Sequence, residues 1–178
     1  MKFKNLHNTV IIFISLMFFF GCGNDNESVK KQFNPEKFKE SLVKANKKLV
    51  KTEEEEINDF INRYQWKMTQ TKSGLRYMIY KNGNGEKAIK GKIVKINYKV
   101  GLITGVNCYS SDETGPKSFI IGKGEVENGL DEGILLFKVG DKAKLIIPSP
   151  LAFGLVGDDK KIPKRATLIY DVELLEIK

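Results

Sequence analysis

Histidine is almost missing from this 178-residue chain, and the single one, His7, lies in a leading segment that does not read as part of the folded protein. Without an imidazole the folded part has no Ser-His-Asp or Cys-His catalysis and no ordinary His-ligated zinc site. Cysteine is scarce too, with only Cys22 and Cys108 present. No apolar run is long enough to span a bilayer as a helix, the longest being residues 10–20. Neither an arginine cluster nor an aromatic-interleaved basic patch occurs. The net charge of +8 is spread along the chain and reads as solvation, with attraction to an anionic membrane surface as a second possibility and nucleic acid as a poor candidate. A βαβ alternation is also lacking, which argues against a parallel sheet.

What stands at the start is the shape of an export signal. Lys2 and Lys4 precede the apolar stretch, and Gly21-Cys22 follows it. The end of the stretch, "FFGC", resembles a bacterial lipoprotein processing site, which makes residues 1–21 a lipoprotein signal peptide and Cys22 the lipidated residue. An ordinary signal peptide cleaved elsewhere, or a short membrane anchor, are the alternatives. Removing residues 1–21 takes away two lysines and no acid and leaves a net charge of +6. With lipid on Cys22, Cys108 has no disulfide partner. Gly23 follows the cysteine where some bacterial lipoproteins carry an aspartate retention signal, so a lipid-anchored location in the cell envelope, at the outer membrane, is the expected one.

Residues 22–34 are polar and aperiodic, as a flexible tether should be. Residues 35–68 form an N-terminal segment whose pattern is helical to about Tyr64. Phe38, Leu42, Ala45 and Leu49 make an apolar stripe that Ile57, Phe60, Ile61 and Tyr64 resume, with Pro35 suited to a first turn. The stripe is expected to pack on the following domain or on a second copy of the helix in a homodimer. The "EEEE" of residues 53–56, after several lysines, reads as a solvated, partly salt-bridged face.

Beyond residue 74 the period changes to two. Leu75, Tyr77 and Ile79 alternate with Arg76, Met78 and Tyr80, and Val94, Ile96, Tyr98 and Val100 alternate with lysines and asparagine. Residues 119–121 form a short strand. A single short helix follows, with Val126, Leu130, Ile134 and Phe137 on one face, Asn128 as its cap and Gly140 at its end. Residues 142–147 return to strand until Pro148 and Pro150 stop it, and Leu168, Tyr170, Val172 and Leu174 line one face of the last strand. The fold class is α+β, with five or six antiparallel strands against one short helix, preceded by the amphipathic N-terminal helix. The run "IIPSPLAFGLVG" stays apolar past its prolines, so its loop must pack on something or offer apolar surface to a partner.

The segments "VKINYKVGLITG", "CYSS", "FIIGKGEVENGLDEGI", "VGDKAKLIIPSPLAFGLVG", "IP" and "ATLIYDVELLEI", in that order, resemble FKBP-type peptidyl-prolyl cis-trans isomerases over residues 75–178. The resemblance implies a half-barrel sheet wrapped around the short helix and a shallow apolar pocket that receives a proline ring. Its walls would be Tyr98, Cys108, Tyr109, Val126, Leu130, Phe153, Ile162 and Tyr170. Cys108-Tyr109 stand where family members usually have Phe-Asp, Leu130 where they have Trp, and Phe153 where they have Tyr. No metal or other cofactor is called for. The implied function is isomerisation of proline-containing segments of exported proteins during folding, and the alternative is a chaperone or proline-peptide binding module with little turnover.

Overall fold

The computed structural model describes residues 34–178, so the export signal, His7, Cys22 and all but the last residue of the tether lie outside the described residues. Two compact units divide the chain, residues 1–40 and residues 41–178. Of the first, the described part is the beginning of helix α1 (Pro35–Tyr64). Asn34 caps that helix, its Oδ1 accepting the N–H groups of Glu36 at 3.0 Å and Lys37 at 3.1 Å, and Pro35 stands where a missing N–H costs no hydrogen bond.

The second unit takes in the rest of α1 and every strand among the described residues. The apolar stripe of α1 divides in two. Ile57 is fully buried and Phe60 and Ile61 are half-buried, whereas Leu42, Leu49 and Val50 are exposed. After Tyr64 a left-handed Gln65 (φ 54°) turns the chain, so the helix ends where its apolar pattern does, and residues 65–68 of the expected N-terminal segment lie beyond it. Phe60, Tyr64 and Trp66 then cluster at ring-centroid distances of 4.5 to 5.6 Å. Among the described residues no helix is long and apolar enough to cross a membrane.

The sheet has seven strands: β1 (Thr69–Gln70), β2 (Arg76–Lys81), β3 (Ile93–Leu102), β4 (Asn107–Ser110), β5 (Lys117–Ile120), β6 (Lys142–Ile147) and β7 (Leu168–Ile177). Their order is β1-β2-β6-β7-β3-β4, all antiparallel, with β5 also pairing β3. The two-residue β1 is too short to show alternation, which is why five or six strands were expected. One edge of β3 runs along β7 from Val94↔Ile177 to Leu102↔Leu168. Its other edge is shared: β5 takes Ile93 to Ile96, β4 takes Lys99 to Gly101, and a one-turn helix α2 (Ser111–Thr114) lies between them. The faces follow the pattern, since Val94, Ile96 and Val100 on β3 and Leu168, Tyr170, Val172 and Leu174 on β7 are all buried.

Helix α3 (Asn128–Ile134) packs on this face. It comes close to β6 because it carries glycine: a Cβ at Gly129 would lie 2.3 Å from Ile147 Cγ2. Glu127, not Asn128, holds the N-cap position, and the helix ends at Ile134, well before Gly140. Leu136 and Phe137 instead close tight i→i+3 turns onto Gly133 and Ile134, which lets Phe137 turn fully into the core.

Candidate functional site

The prolines end β6 as the sequence implies. Ile147 is its last residue, Ser149–Leu151 forms a single 3₁₀ turn, and the chain then loops to β7. Leu151, Ala152 and Phe153 pack half-buried against the core, while Leu155 and Val156 are each 68% exposed. The loop therefore both packs and presents apolar surface. Phe153 belongs to its anchored part, where Gly154 N–H donates to Ser149 O at 2.9 Å and Arg165 N–H to Gly154 O at 2.7 Å.

The eight expected wall residues divide by burial into two groups of four. Cys108, Leu130, Ile162 and Tyr170 are buried members of the core, and Tyr98, Tyr109, Val126 and Phe153 are half-buried side chains packed against it. Tyr170 on β7 is held by its hydroxyl, which donates to Glu127 Oε1 at 2.8 Å. Burial first, and then the charge of Glu127, pushes its pKa well above the ordinary phenol value, so it stays a neutral donor at any physiological pH. Tyr98 on β3 stands opposite Val172, and its hydroxyl meets Thr114 Oγ1 at 3.1 Å.

Cys108 and Tyr109 are consecutive on β4, and in a regular strand they would face opposite ways. Gly101 pairs Asn107 and Val100 pairs Tyr109, which leaves Cys108 as the extra residue of a bulge. The bulge brings both side chains to the core side. Burial pushes the Cys108 thiol up, and nearby Asp158 adds to the rise. Thiol reagents are therefore expected to label Cys108 slowly in the native protein and rapidly in denaturant, a contrast that a timed labelling assay would read; fast native labelling would place β4 wrongly.

Tyr109 O–H donates to Asp158 Oδ2, and Lys161 Nζ lies 5.2 Å from the Tyr109 ring centre. Asp158 Oδ1 accepts the N–H groups of Lys160 at 2.9 Å and Ile162 at 2.7 Å, and Ile162 O accepts the Asp158 N–H at 3.0 Å. One carboxylate thus closes the loop that carries Ile162 and ties it to β4. Sequence reasoning missed it, because in "GDDKK" it reads as a solvated turn. Burial alone would raise the Asp158 carboxyl, but the Tyr109 hydroxyl and the loop N–H groups outweigh that and hold it below the usual carboxylate value.

A depressed native pKa means stability that is present above the unfolded value, about 3.9, and lost as pH falls through the native one. Thermal midpoints of wild type and Asp158→Asn should accordingly differ most near neutral pH and converge as pH drops below about 4. A gap that stays constant with pH would mean that the Asp158 charge contributes nothing.

The glutamate run needs correcting most. Lys51–Glu55 is a solvated i,i+4 pair at 3.7 Å, as expected of a charged face. Glu53 and Glu54 instead turn to the domain. Glu53 Oε1 accepts Ser149 N–H and Thr167 O–H, both at 2.6 Å, and its Oε2 accepts Ser149 O–H at 3.0 Å. Glu54 pairs with the guanidinium of Arg76 at 2.9 Å, and Arg76 is buried although it alternates with the apolar Leu75, Tyr77 and Ile79. Helix α1 is thereby fastened to Ser149, the residue on which the Phe153 loop turns. Neither contact has a local signal in the sequence, because Glu53 and Ser149 are 96 residues apart.

A family model for the FKBP-type peptidyl-prolyl cis-trans isomerase matches residues 84–175, more than half of the chain. The chain belongs to this family. All eight wall residues fall inside the matched span, and α1 lies before it. The FK506-binding protein of Neisseria meningitidis serogroup B is 42% identical over 96 residues, covering 53% of this chain and 88% of that protein. FK506-binding protein 4 of Rhizopus delemar is 41% identical over 113 residues, which is 63% of this chain and 29% of that protein. The FKBP-type peptidyl-prolyl cis-trans isomerase FkpA of Aeromonas hydrophila is 42% identical over 108 residues, or 60% of this chain and 39% of that one. The crystal structure of AtFKBP13 superposes with a TM-score of 0.61 at 33% identity, over 64% of this chain and all of that chain. The antiparallel sheet packed against a short helix is thus the fold of the FKBP family, and the chain spans less than a third of the Rhizopus relative's length.

Proposed function

We propose that this protein is a peptidyl-prolyl cis-trans isomerase in its own right, acting on proline-containing segments at the pocket walled by Tyr98, Cys108, Tyr109, Val126, Leu130, Phe153, Ile162 and Tyr170. The observation that supports this is that Tyr98, Tyr109, Val126 and Phe153 stay half-buried against the core cluster that holds the other four, within the span that matches the family. The planar amide resists rotation by ~18 to 20 kcal/mol because of resonance, and the twisted state has less charge separation than the planar one. A dry apolar wall that fits the twisted form better than either planar form lowers the barrier, with no proton transfer and no covalent intermediate. Tyr109 and Asp158 hold the loop side of the wall in place, and Tyr170 supports the floor.

The full-length protein should accelerate cis-trans exchange in short X-Pro peptides in proportion to its concentration. Peptide binding without acceleration would favour the second reading, a holding module for proline segments, for which the exposed Leu155 and Val156 at the loop tip provide apolar surface.

We further propose that the clients are exported proteins and that the protein works from a lipid anchor on Cys22, at the outer membrane. Support comes from the basic, then apolar, then Gly-Cys order of residues 1–22. The native protein should partition into detergent and yield an acylated N-terminal peptide starting at Cys22, and Cys22→Ser should abolish both; a mature soluble form starting elsewhere would end this reading. A homodimer through α1 is proposed on the exposed Leu42, Leu49 and Val50. Sedimentation of wild type against a Leu42→Glu, Leu49→Glu double variant tests it, a monomeric wild type being the contrary result.

A further inference from the structure

Glu127 is the group beside the pocket for which isomerisation by apolar walls has no use. It occupies the N-cap position of α3, yet its side chain caps no helix N–H. Oε1 accepts the Tyr170 hydroxyl at 2.8 Å. Oε2 is shielded from water and has no hydrogen-bond partner among the described residues. Its chain neighbour is the wall residue Val126, and Tyr170 lies within electrostatic reach of Tyr98 and Cys108. A carboxylate oxygen therefore lacks a donor at the start of α3, amid side chains that the isomerase reading makes walls. An acceptor withdrawn from water and left unpaired is costly, and a ligand that brings a donor recovers that cost. The strongest donors to a carboxylate are cationic. Glu127 as a whole is only partly buried, so its carboxylate needs little movement to meet a side chain entering from solvent.

We propose, resting on the isomerase reading of this pocket, that Glu127 is a specificity-determining residue that selects segments carrying lysine or arginine next to the proline. The cation donates to Oε2 while the Tyr170 hydroxyl keeps hold of Oε1 and fixes the plane of the carboxylate. Lys160, Lys161 and Lys164, on the loop that carries Ile162, are exposed, so salt screens their repulsion of a cationic ligand more than it weakens a contact shielded from water.

The test uses the full-length protein and peptides with lysine, leucine or glutamate placed before or after proline, with isomerisation measured as kcat/KM. Lysine peptides are expected to exceed leucine peptides by about tenfold on at least one side of the proline, the size of one charge-assisted hydrogen bond. Glutamate peptides should fall below leucine. In Glu127→Gln the lysine-to-leucine ratio should fall toward one, and in Tyr170→Phe, which frees the carboxylate, it should fall part of the way. A wild-type ratio near one, or a ratio unchanged in Glu127→Gln, would overturn the proposal. If Glu127→Gln fails to fold, the wild-type ratio decides on its own. Absence of turnover on every peptide would end the isomerase reading instead, and the same lysine-to-leucine ratio would then be read from binding constants.

Discussion

Replacing Phe153 with alanine is expected to lower kcat/KM for X-Pro isomerisation by about 30-fold while leaving the protein folded. The figure follows from about 2 kcal/mol for the apolar contact that a phenyl ring makes with a ligand, at about 1.4 kcal/mol for each factor of ten. Phe153 is half-buried, and the loop that carries it is held by backbone bonds of Ser149, Gly154 and Arg165 that do not involve its ring. Stability should therefore fall by about 1 kcal/mol, much less than for a fully buried aromatic. Phe153→Leu should fall between the two in activity. Parallel urea titrations and peptide assays would separate the effects, and an alanine variant with wild-type kcat/KM would remove Phe153 from the site.

The second large effect is expected at a distance from the pocket. Glu53→Ala leaves Ser149 N–H, Ser149 O–H and Thr167 O–H without the carboxylate that accepts all three, and both Ser149 and Thr167 are buried. Hydrogen bonds to charged groups contribute roughly 1.5 to 3 kcal/mol each, and three that share one acceptor do not add, so a loss of about 3 kcal/mol in unfolding free energy is expected. Activity should fall as well, because Ser149 O receives the N–H groups of Ala152 and Gly154, and these fix the turn that presents Phe153. Glu53→Gln keeps an acceptor and should recover part of both losses. The single tryptophan, Trp66, packs on Phe60 and Tyr64 of α1 and has Lys144 Nζ of β6 at 5.7 Å from its ring centre, so its fluorescence reports separately on whether the helix end leaves the sheet. Unfolding midpoints indistinguishable from wild type would show that the fastening is incidental.

The contrast between these two residues marks where the sequence was readable. Phe153 was legible because an aromatic past two strand-ending prolines breaks the rule that loops are polar. Strands β3 and β7 were legible because one face of each is core and the other meets water, and that physics writes a period of two. Glu53 was not, since a glutamate among glutamates looks the same whether it meets water or a serine 96 residues away. The burial of Arg76 was unreadable for a related reason: only the partner carboxylate of Glu54 explains a buried guanidinium there. Cys108 and Tyr109 were both assigned to the pocket from the family pattern alone, and it takes the bulge in β4 to bring both to the core side. Asp158 bonds mostly within its own loop, and its link to Tyr109 crosses 49 residues.

The broken edges of the sheet have a consequence for a protein whose proposed clients are unfolded chains. A long, flat, unpaired strand is a template on which an extended polypeptide can lie down, and a folding assistant that offered one would seed the aggregates it exists to prevent. Here one edge ends in a strand of two residues, and the other is cut into two pieces of four by a turn of helix. Such fragments give a passing chain too few main-chain bonds for lasting strand addition. Under the proposed function, a client is then gripped by side chains, one proline at a time, and such a grip lets go.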